Sequence, residues 1–401
     1  MVLPQEVREI LEKLNRAGHE AYAVGGCVRD ACLGREPKDW DITTSALPEE
    51  VKALFPRTLD TGIQHGTVTV MRGRTGYEVT TFRVDGNYTD GRHPDSVTFT
   101  RSLPEDLKRR DFTINAMACG AGGEVVDLFD GQGDLKRRMI RCVGDPDQRF
   151  SEDALRLLRA VRFSAQLDFE IEPQTATALK RHGAALGLVS RERVFAELNK
   201  TLLSEHPEKL SEIAAAGLER QVSEEFPGIA GDCRIAALPE DKAVRWAAAA
   251  AAAGKAPESL DRLLRELKSD NGTRETAVLL LSWLPRPLPE NRAETRRLLS
   301  EIGTDKAEAL LKLKEQGFGA GKSALQVARV RDWIREILAD GDCFSLKTLA
   351  VGGRDLMAAG IPGGPAMGAC LKELLSAVLE NPENNRREVL LSMAEKWCSR
   401  K

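Results

Sequence analysis

Strand-forming sequence stops early in this chain. Up to about residue 140, short runs rich in Val and Thr alternate with turn residues. They are Ala21-Tyr22-Ala23-Val24, Thr67 to Met71, Tyr77 to Val84 and Gly123 to Phe129. From Ser151 onward apolar residues recur at i, i+3 and i+4 over Ser151 to Phe163, Pro173 to His182, Ser190 to Leu203 and Pro207 to Ala215. Alternation marks a half-buried strand and a 3.6-residue period marks a helix. The change of period predicts an α+β chain: a mixed α/β head, with helices over Pro4 to Arg16 and Cys27 to Leu33, then an all-helical remainder. The alanine run Ala247 to Ala253 predicts a close-packed structural helix, since alanine has high helix propensity and little bulk. Pro285-Arg286-Pro287-Leu288-Pro289 breaks the helical pattern and predicts a linker.

At 401 residues the chain has room for about two to four domains. Its 58 Lys and Arg against 61 Asp and Glu leave a net charge of −3, which excludes a globally basic nucleic-acid binder; any such contact needs a local basic surface. Aromatics at 5% argue against a stacking platform for single strands. No apolar run reaches the ~18 residues of a membrane span, and the charged, amphipathic N-terminus does not read as a secretory signal. The eight cysteines form no C-x-x-C pair, so neither zinc nor a disulfide framework is expected, and a cytoplasmic location is.

The densest chemistry is Val24-Gly25-Gly26-Cys27-Val28-Arg29-Asp30, followed by Lys38-Asp39-Trp40-Asp41-Ile42. Gly25-Gly26 closes a strand into a helix, where glycine lets backbone N–H groups approach phosphate oxygens. Gly26 and Arg29, with its fork of donors, are candidate nucleotide-binding residues. If the stretch from Trp40 to Thr43 is extended, Asp39 and Asp41 share a face. Two oxygen ligands without Cys or His suit Mg²⁺ rather than zinc, so Asp39 and Asp41 are candidate catalytic metal ligands. Glu78, on the run Tyr77 to Arg83, is either a third catalytic carboxylate or an outward-facing strand residue. Taken singly, Gly-Gly is a tight turn and D-x-D a solvated loop; together and in this order they point to nucleotidyl transfer.

These segments resemble the opening of the class II tRNA nucleotidyltransferase and bacterial poly(A) polymerase superfamily. The resemblance continues through Arg109-Arg110-Asp111-Phe112-Thr113-Ile114-Asn115-Ala116-Met117-Ala118, Asp127-Leu128-Phe129-Asp130-Gly131, Glu152-Asp153-Ala154-Leu155-Arg156, Ser190-Arg191-Glu192-Arg193 and the stretch from Gly352 to Leu375. It implies a palm-like nucleotidyltransferase head over 1–140, then a helical neck over 141–205 for nucleotide selection, a body over 206–289 and a tRNA-binding tail over 290–401. It implies CTP and ATP as substrates, tRNA rather than DNA as partner, and no nucleic-acid template. Arg110 is assigned to the nucleotide by this resemblance alone.

The segment from Ser151 to Phe163 suggests how a protein selects C and A. With Ser151 as N-cap, Asp153 and Arg156 are neighbours on one helix face. Cytosine and adenine offer an amino donor beside a ring-nitrogen acceptor, and guanine and uracil offer the reverse. An ionised Asp only accepts and an Arg only donates, so the pair matches C and A. Arg159 and Arg162 continue the stripe at i+3 and i+6, placed either to reach the triphosphate or to help hold Asp153. The expected step is attack of the tRNA 3′-hydroxyl on the α-phosphorus of CTP or ATP, releasing pyrophosphate, with Asp39 and Asp41 holding two Mg²⁺ ions about 3.5–4 Å apart. The polar stretch from Asp85 to Phe99 predicts a loop; family members that add only cytidines resemble the others but lack it, which favours full CCA addition here. A strictly A-adding enzyme, a poly(A) polymerase and a non-catalytic RNA-binding protein are the alternatives. Arg191, Arg193 and Lys200 are candidate RNA contacts. The Gly352 to Gly364 stretch is read as helix-capping turns in preference to a phosphate-binding loop.

Overall fold

The computed structural model describes residues 1–86, 97–319 and 324–398. Of the loop expected from Asp85 to Phe99, residues 87–96 lie outside them, while its described ends are not loop: Asp85 pairs with Val97, and Val97–Phe99 is a strand. Chain contacts divide the protein into two units, Met1–Ala236 with Arg262–Ser269, and Ala237–Asp261 with Asp270–Lys401.

The first unit opens with α1 (Gln5–Arg16), which buries Val7, Ile10, Leu11 and Leu14 along one face. There follow β1 (Ala21–Val24), α2 (Gly26–Cys32), β2 (Ile42–Thr44), α3 (Pro48–Leu54), β3 (Thr58–Gly62), β4 (Thr67–Arg72) and β5 (Thr75–Thr81). Next come β6 (Arg83–Asp85), β7 (Val97–Phe99), α4 (Leu103–Lys108), β8 (Met117–Cys119), β9 (Val125–Asp127), α5 (Gly131–Arg137) and β10 (Met139–Ile140). Seven of these strands form one sheet, in the order β3-β4-β5-β2-β1-β8-β9. Every pairing in it is antiparallel except β2 with β5, which run parallel. The strand expected over Tyr77 to Val84 divides at Phe82. That ring is fully buried with Val24, Leu103, Leu107 and Ala118, and its backbone N–H donates to Thr44 O at 2.7 Å. The run expected over Gly123 to Phe129 shortens to β9, because Asp127 turns to accept from the N–H groups of Gly131 and Gln132, both at 2.8 Å.

Past β10 the described residues are helical or in turns, apart from the two-residue strand β11, which pairs in parallel with β10. The elements are α6 (Pro146–Glu152), α7 (Leu155–Leu167), β11 (Glu170–Ile171), α8 (Pro173–His182), α9 (Arg191–Leu202), α10 (Ser211–Ala215) and α11 (Glu219–Val222). The helix expected from a Ser151 cap is two helices. Asp145 caps α6 by accepting from Asp147 N–H at 3.0 Å, and Pro146 supplies a helical φ at the first position. Asp153, extended at φ −143° and ψ 104°, then breaks the helix. Ser151 lies inside α6 and donates to Gln148 O at 2.8 Å, so it caps nothing.

The second unit holds α12 (Lys242–Ala252), α14 (Asn271–Trp283), α15 (Arg292–Ile302), α16 (Thr304–Glu315), α17 (Ala324–Ala339), α18 (Gly353–Ala358), α19 (Pro365–Glu380) and α20 (Arg387–Cys398); α13 (Pro257–Glu266) follows α12 in sequence. In α12, Ala247, Ala248, Ala249 and Ala250 are buried, and the helix packs on α14 as a small-residue helix should. The Pro285–Pro289 segment joins α14 to α15 within this unit and is tied down. The Arg286 guanidinium lies 4.0 Å over the Trp283 ring, and the Lys314 ammonium donates to Leu284 O at 2.8 Å and Arg286 O at 2.7 Å. Gly352 caps α18, its N–H donating to Asp355 Oδ2 at 2.9 Å, and Gly364 precedes α19; both are capping turns. A further core gathers Leu356, Cys370, Leu374, Val378 and Leu390. Among the described residues no helix is long and apolar enough to cross a membrane.

Candidate active site

The site grows from the end of the interior strand β1, where the chain turns into α2. Gly25 joins them at φ 82°, in the left-handed region, and a Cβ there would come 3.1 Å from Arg110 Nη1. One turn on, Arg29 donates to Asp30 Oδ1 at 2.8 Å and to Asn115 Oδ1 at 2.7 Å, which holds its guanidinium over the cleft rather than free in solvent. Gly25, Gly26, Arg29 and Arg110 all line one cleft of about 440 Å³.

Sheet register brings the carboxylates together. β2 begins at Ile42, and Ile42 pairs with Val79 of β5. Asp41 and Glu78, one residue back on each strand, therefore stand side by side on the opposite face from Ile42 and Val79, which are buried. Val24 N–H donates to Asp41 O at 2.9 Å and fixes the approach to the strand. The Asp41 carboxyl is pushed above its ordinary range by burial first, then by repulsion from Glu78 and Asp39, with Arg110 pulling the other way. Asp41 lines the cleft; Asp39 and Glu78 stand close enough to repel it but are not part of the lining. No three Asp, Glu, His or Cys side chains converge as a ready-made metal cage among the described residues. The donor set here is oxygen-only and its carboxylates repel one another, which fits a hard divalent cation held by one or two carboxylates and completed by substrate phosphates.

The opposite wall is arginine-rich. Seven arginines (Arg29, Arg109, Arg110, Arg156, Arg159, Arg162 and Arg193) line the cleft against three aspartates, Asp41, Asp111 and Asp153. Most are fixed by buried acids. Asp111 receives Arg159 Nε at 2.8 Å, Asn115 Nδ2 at 3.1 Å and its neighbour Phe112 N–H at 2.8 Å. Burial opposes its charge, but Arg159, Asn115 and Arg156 outweigh that and hold the carboxyl far below the ordinary range. Fully buried Asp106 anchors Arg109 at 2.8 Å and Arg110 at 3.2 Å, and the two arginines overcome burial to lower its carboxyl too. Arg162 donates to Glu197 Oε2 at 2.5 Å and lies 3.9 Å over the Phe163 ring.

Asp153 and Arg156 both reach the cleft, by a route unlike a shared helix face. Asp153 stands in the break and caps α7, Oδ1 accepting Leu155 N–H at 3.0 Å, while Oδ2 accepts Arg193 Nη2 at 2.9 Å. Arg156 is held by Glu152 Oε2 at 2.6 Å and by the carbonyls of Arg149 and Arg109, each at 3.1 Å. The cleft thus collects Gly26, Arg29, Asp41, Arg110, Asp153, Arg156, Arg159 and Arg162, with Asp39 and Glu78 at its margin.

Sequence reading left out Asp111, Asn115 and Phe163. The signal for Asp111 was a lone acid inside Arg109-Arg110-Asp111, but its partner Arg159 is 48 residues away. Arg193, read as an RNA contact, lines the cleft. Arg191 donates to Gln221 O at 2.9 Å and Val222 O at 2.7 Å, closing the end of α11, while Lys200 is exposed beside Glu197 at 3.7 Å.

Known proteins resemble this chain along nearly its whole length. The model of the poly A polymerase head domain matches residues 21–141, that of an RNA- and SrmB-binding site of polymerase A residues 168–227, and that of tRNA nucleotidyltransferase domain 2 residues 238–394. The CCA-adding enzyme of Levilactobacillus brevis is 42% identical across 97% of this chain and 98% of its own length. That of Lactobacillus delbrueckii subsp. bulgaricus is 41% identical across 95% of each chain. The crystal structure of the Bacillus stearothermophilus CCA-adding enzyme in complex with CTP is 35% identical, superimposes with a TM-score of 0.84 and covers 99% of this chain and 98% of that one. A carboxylate edge facing an arginine wall, in a chain matched nearly end to end at this identity, places the protein in the family of CCA-adding enzymes.

Proposed function

We propose that this protein extends the 3′ end of tRNA by C, C and A, using CTP and ATP without a nucleic-acid template. The observation that carries the reading is that one cleft holds Asp41 and the acceptor–donor pair Asp153 and Arg156 among further arginines. A nucleoside triphosphate is a base at one end and a reacting polyanion at the other, and the cleft is polarised in the same sense. Asp153 accepts from the exocyclic amino group of C or A and Arg156 donates to the ring nitrogen beside it. Guanine and uracil place donor against donor and acceptor against acceptor. Arg29, Arg110, Arg159 and Arg162 bind and orient the triphosphate. Each is already held by an anchor or an aromatic ring, so little side-chain entropy is lost when the nucleotide arrives.

Asp39 and Asp41, with Glu78 beside them, hold Mg²⁺ in this reading. The bound cation supplies relief of the carboxylates' mutual repulsion, a lowered pKa for the attacking 3′-hydroxyl and charge compensation for departing pyrophosphate. Residues 1–140 serve as catalytic head, 141–205 as nucleotide-selecting neck, 206–289 as body and 290–401 as tRNA-binding tail. The eight unpaired cysteines suit a reducing cytoplasm.

The test uses purified protein, Mg²⁺ and one tRNA ending at the discriminator base, at C or at CC, with labelled nucleotides supplied singly and in pairs. Growth by three residues that needs both CTP and ATP and then stops is the expected result. Extension of the CC-ended tRNA alone indicates an A-adding specialist, a long A ladder a poly(A) polymerase, and no product overturns catalysis.

A further inference from the structure

Asp153 is held from two sides, by a neighbour two residues away and by an arginine 40 residues away in sequence. Its Oδ1 accepts the first free N–H of α7, from Leu155 at 3.0 Å, and its Oδ2 accepts Arg193 Nη2 of α9 at 2.9 Å. Each oxygen keeps a second acceptor position. A carboxylate fixed at both oxygens presents those positions in one direction, as an amino group on a base edge requires. One turn along α9 from Arg193, Glu197 faces the same way and accepts Arg162 Nε of α7 at 2.5 Å. Two rungs of opposite polarity therefore join these segments: acid to arginine, then arginine to acid. A shift of α7 by one rung along α9 would set like charges against each other, so the two pairs fix register as well as contact.

We infer that Arg193 is a positioning residue for nucleotide choice: it holds the Asp153 carboxylate as an oriented acceptor and so keeps G and U out. The inference rests on the proposed reading of Asp153 and Arg156 as the base-selecting pair. The surroundings of Arg193 support this role over a contact with tRNA phosphate. Its side chain is only 24% exposed, and its Nη1 is buried without a hydrogen-bond partner among the described residues. The guanidinium bridges α9 and the helix break, with its one bonded terminal nitrogen committed to Asp153.

The test compares wild type, Arg193→Ala and Arg193→Lys as full-length proteins. Single-turnover incorporation of CTP, ATP, UTP and GTP is measured on tRNA ending at the discriminator base and at CC. Melting temperature and tRNA affinity at two salt concentrations are measured alongside. We expect Arg193→Ala to lower the preference for CTP over UTP by about tenfold or more, with uridine appearing in the product. Arg193→Lys should restore most of that preference, and tRNA affinity and its salt slope should stay within about twofold of wild type. Unchanged preference with weaker tRNA binding and a salt slope reduced by about one charge overturns the inference in favour of a phosphate contact. A uniform rate loss in both variants with the preference intact also overturns it, as a structural role alone. Should Arg193→Ala fail to fold, the preference of Arg193→Lys against Arg193→Gln decides in the same terms. If the wild type itself adds no C or A, the proposed function fails, and that result is distinct from any difference between variants.

Discussion

A buried carboxylate that anchors arginines becomes costly once its charge is removed, and Asp111 shows how. It is 7% exposed and bound by Arg159, so Asp111→Asn leaves a guanidinium without its counter-charge; we expect a loss of about 3 kcal/mol at neutral pH, measured by urea unfolding. The sign with pH follows from the lowered carboxyl. The folded state binds that proton more weakly than the unfolded chain, so the contribution is complete above the ordinary carboxylate range near ~4 and fades as pH falls from there toward the folded value. The gap between Asp111→Asn and wild type should therefore close in acid and stay constant above about pH 5. Asp41 has the opposite character, since its neighbours repel it. Asp41→Asn should lower kcat/KM on the order of a thousandfold while raising the melting temperature of the metal-free protein. Asp39, Asp41, Asp153 and Arg156 stood out in the sequence as candidates because each lies in a short local pattern. It could not show Asp111 as an anchor, since pairing with Arg159 exists only once the sheet and α7 are assembled.

At the scale of elements, length and period decided what was legible. Long amphipathic helices such as α1, α8 and α9 carry several turns of repeated pattern and were readable to within a few residues. Strand β8 has three residues, all buried, and offers no alternation to detect. Strand β3 reads Thr-Leu-Asp-Thr-Gly, and its partner β4, not its own composition, makes it a strand. The break between α6 and α7 was missed because Leu155, Leu158 and Phe163 continue the apolar pattern while Asp153 leaves helical geometry. Helix α12 was read correctly for a physical reason: with no side chain beyond Cβ, it gains stability only by close approach. Ala249 is 1% exposed, so Ala249→Leu should overpack the contact with α14 and cost about 1–3 kcal/mol, visible as a lower denaturation midpoint with nucleotide kinetics unchanged.

Over the whole molecule the charge is nearly balanced, at −3, while the cleft lining carries seven arginines against three aspartates. Two kinds of salt response should separate on that basis. Raising monovalent salt from about 50 to about 200 mM should weaken tRNA binding by roughly tenfold or more, because phosphate contacts release counterions. The preference for CTP over UTP should change by less than about twofold, because partly buried pairs such as Asp153 with Arg193 are screened little. A filter-binding titration and a misincorporation assay at both salts check this. The division of the chain into units carries one more consequence. The unit that holds the cleft is not a single run of sequence, for it takes back Arg262–Ser269 after the chain has left it at Ala236. Within that returning piece, Glu266 accepts from Ser223 Oγ at 2.6 Å and Arg262 pairs with Glu225 at 2.5 Å. One break can release the unit that holds the cleft whole only if it falls beyond Ser269. A boundary drawn after Ala236 severs part of the half it was meant to release, so a viable fragment must extend through Ser269 and carry the intervening helix with it.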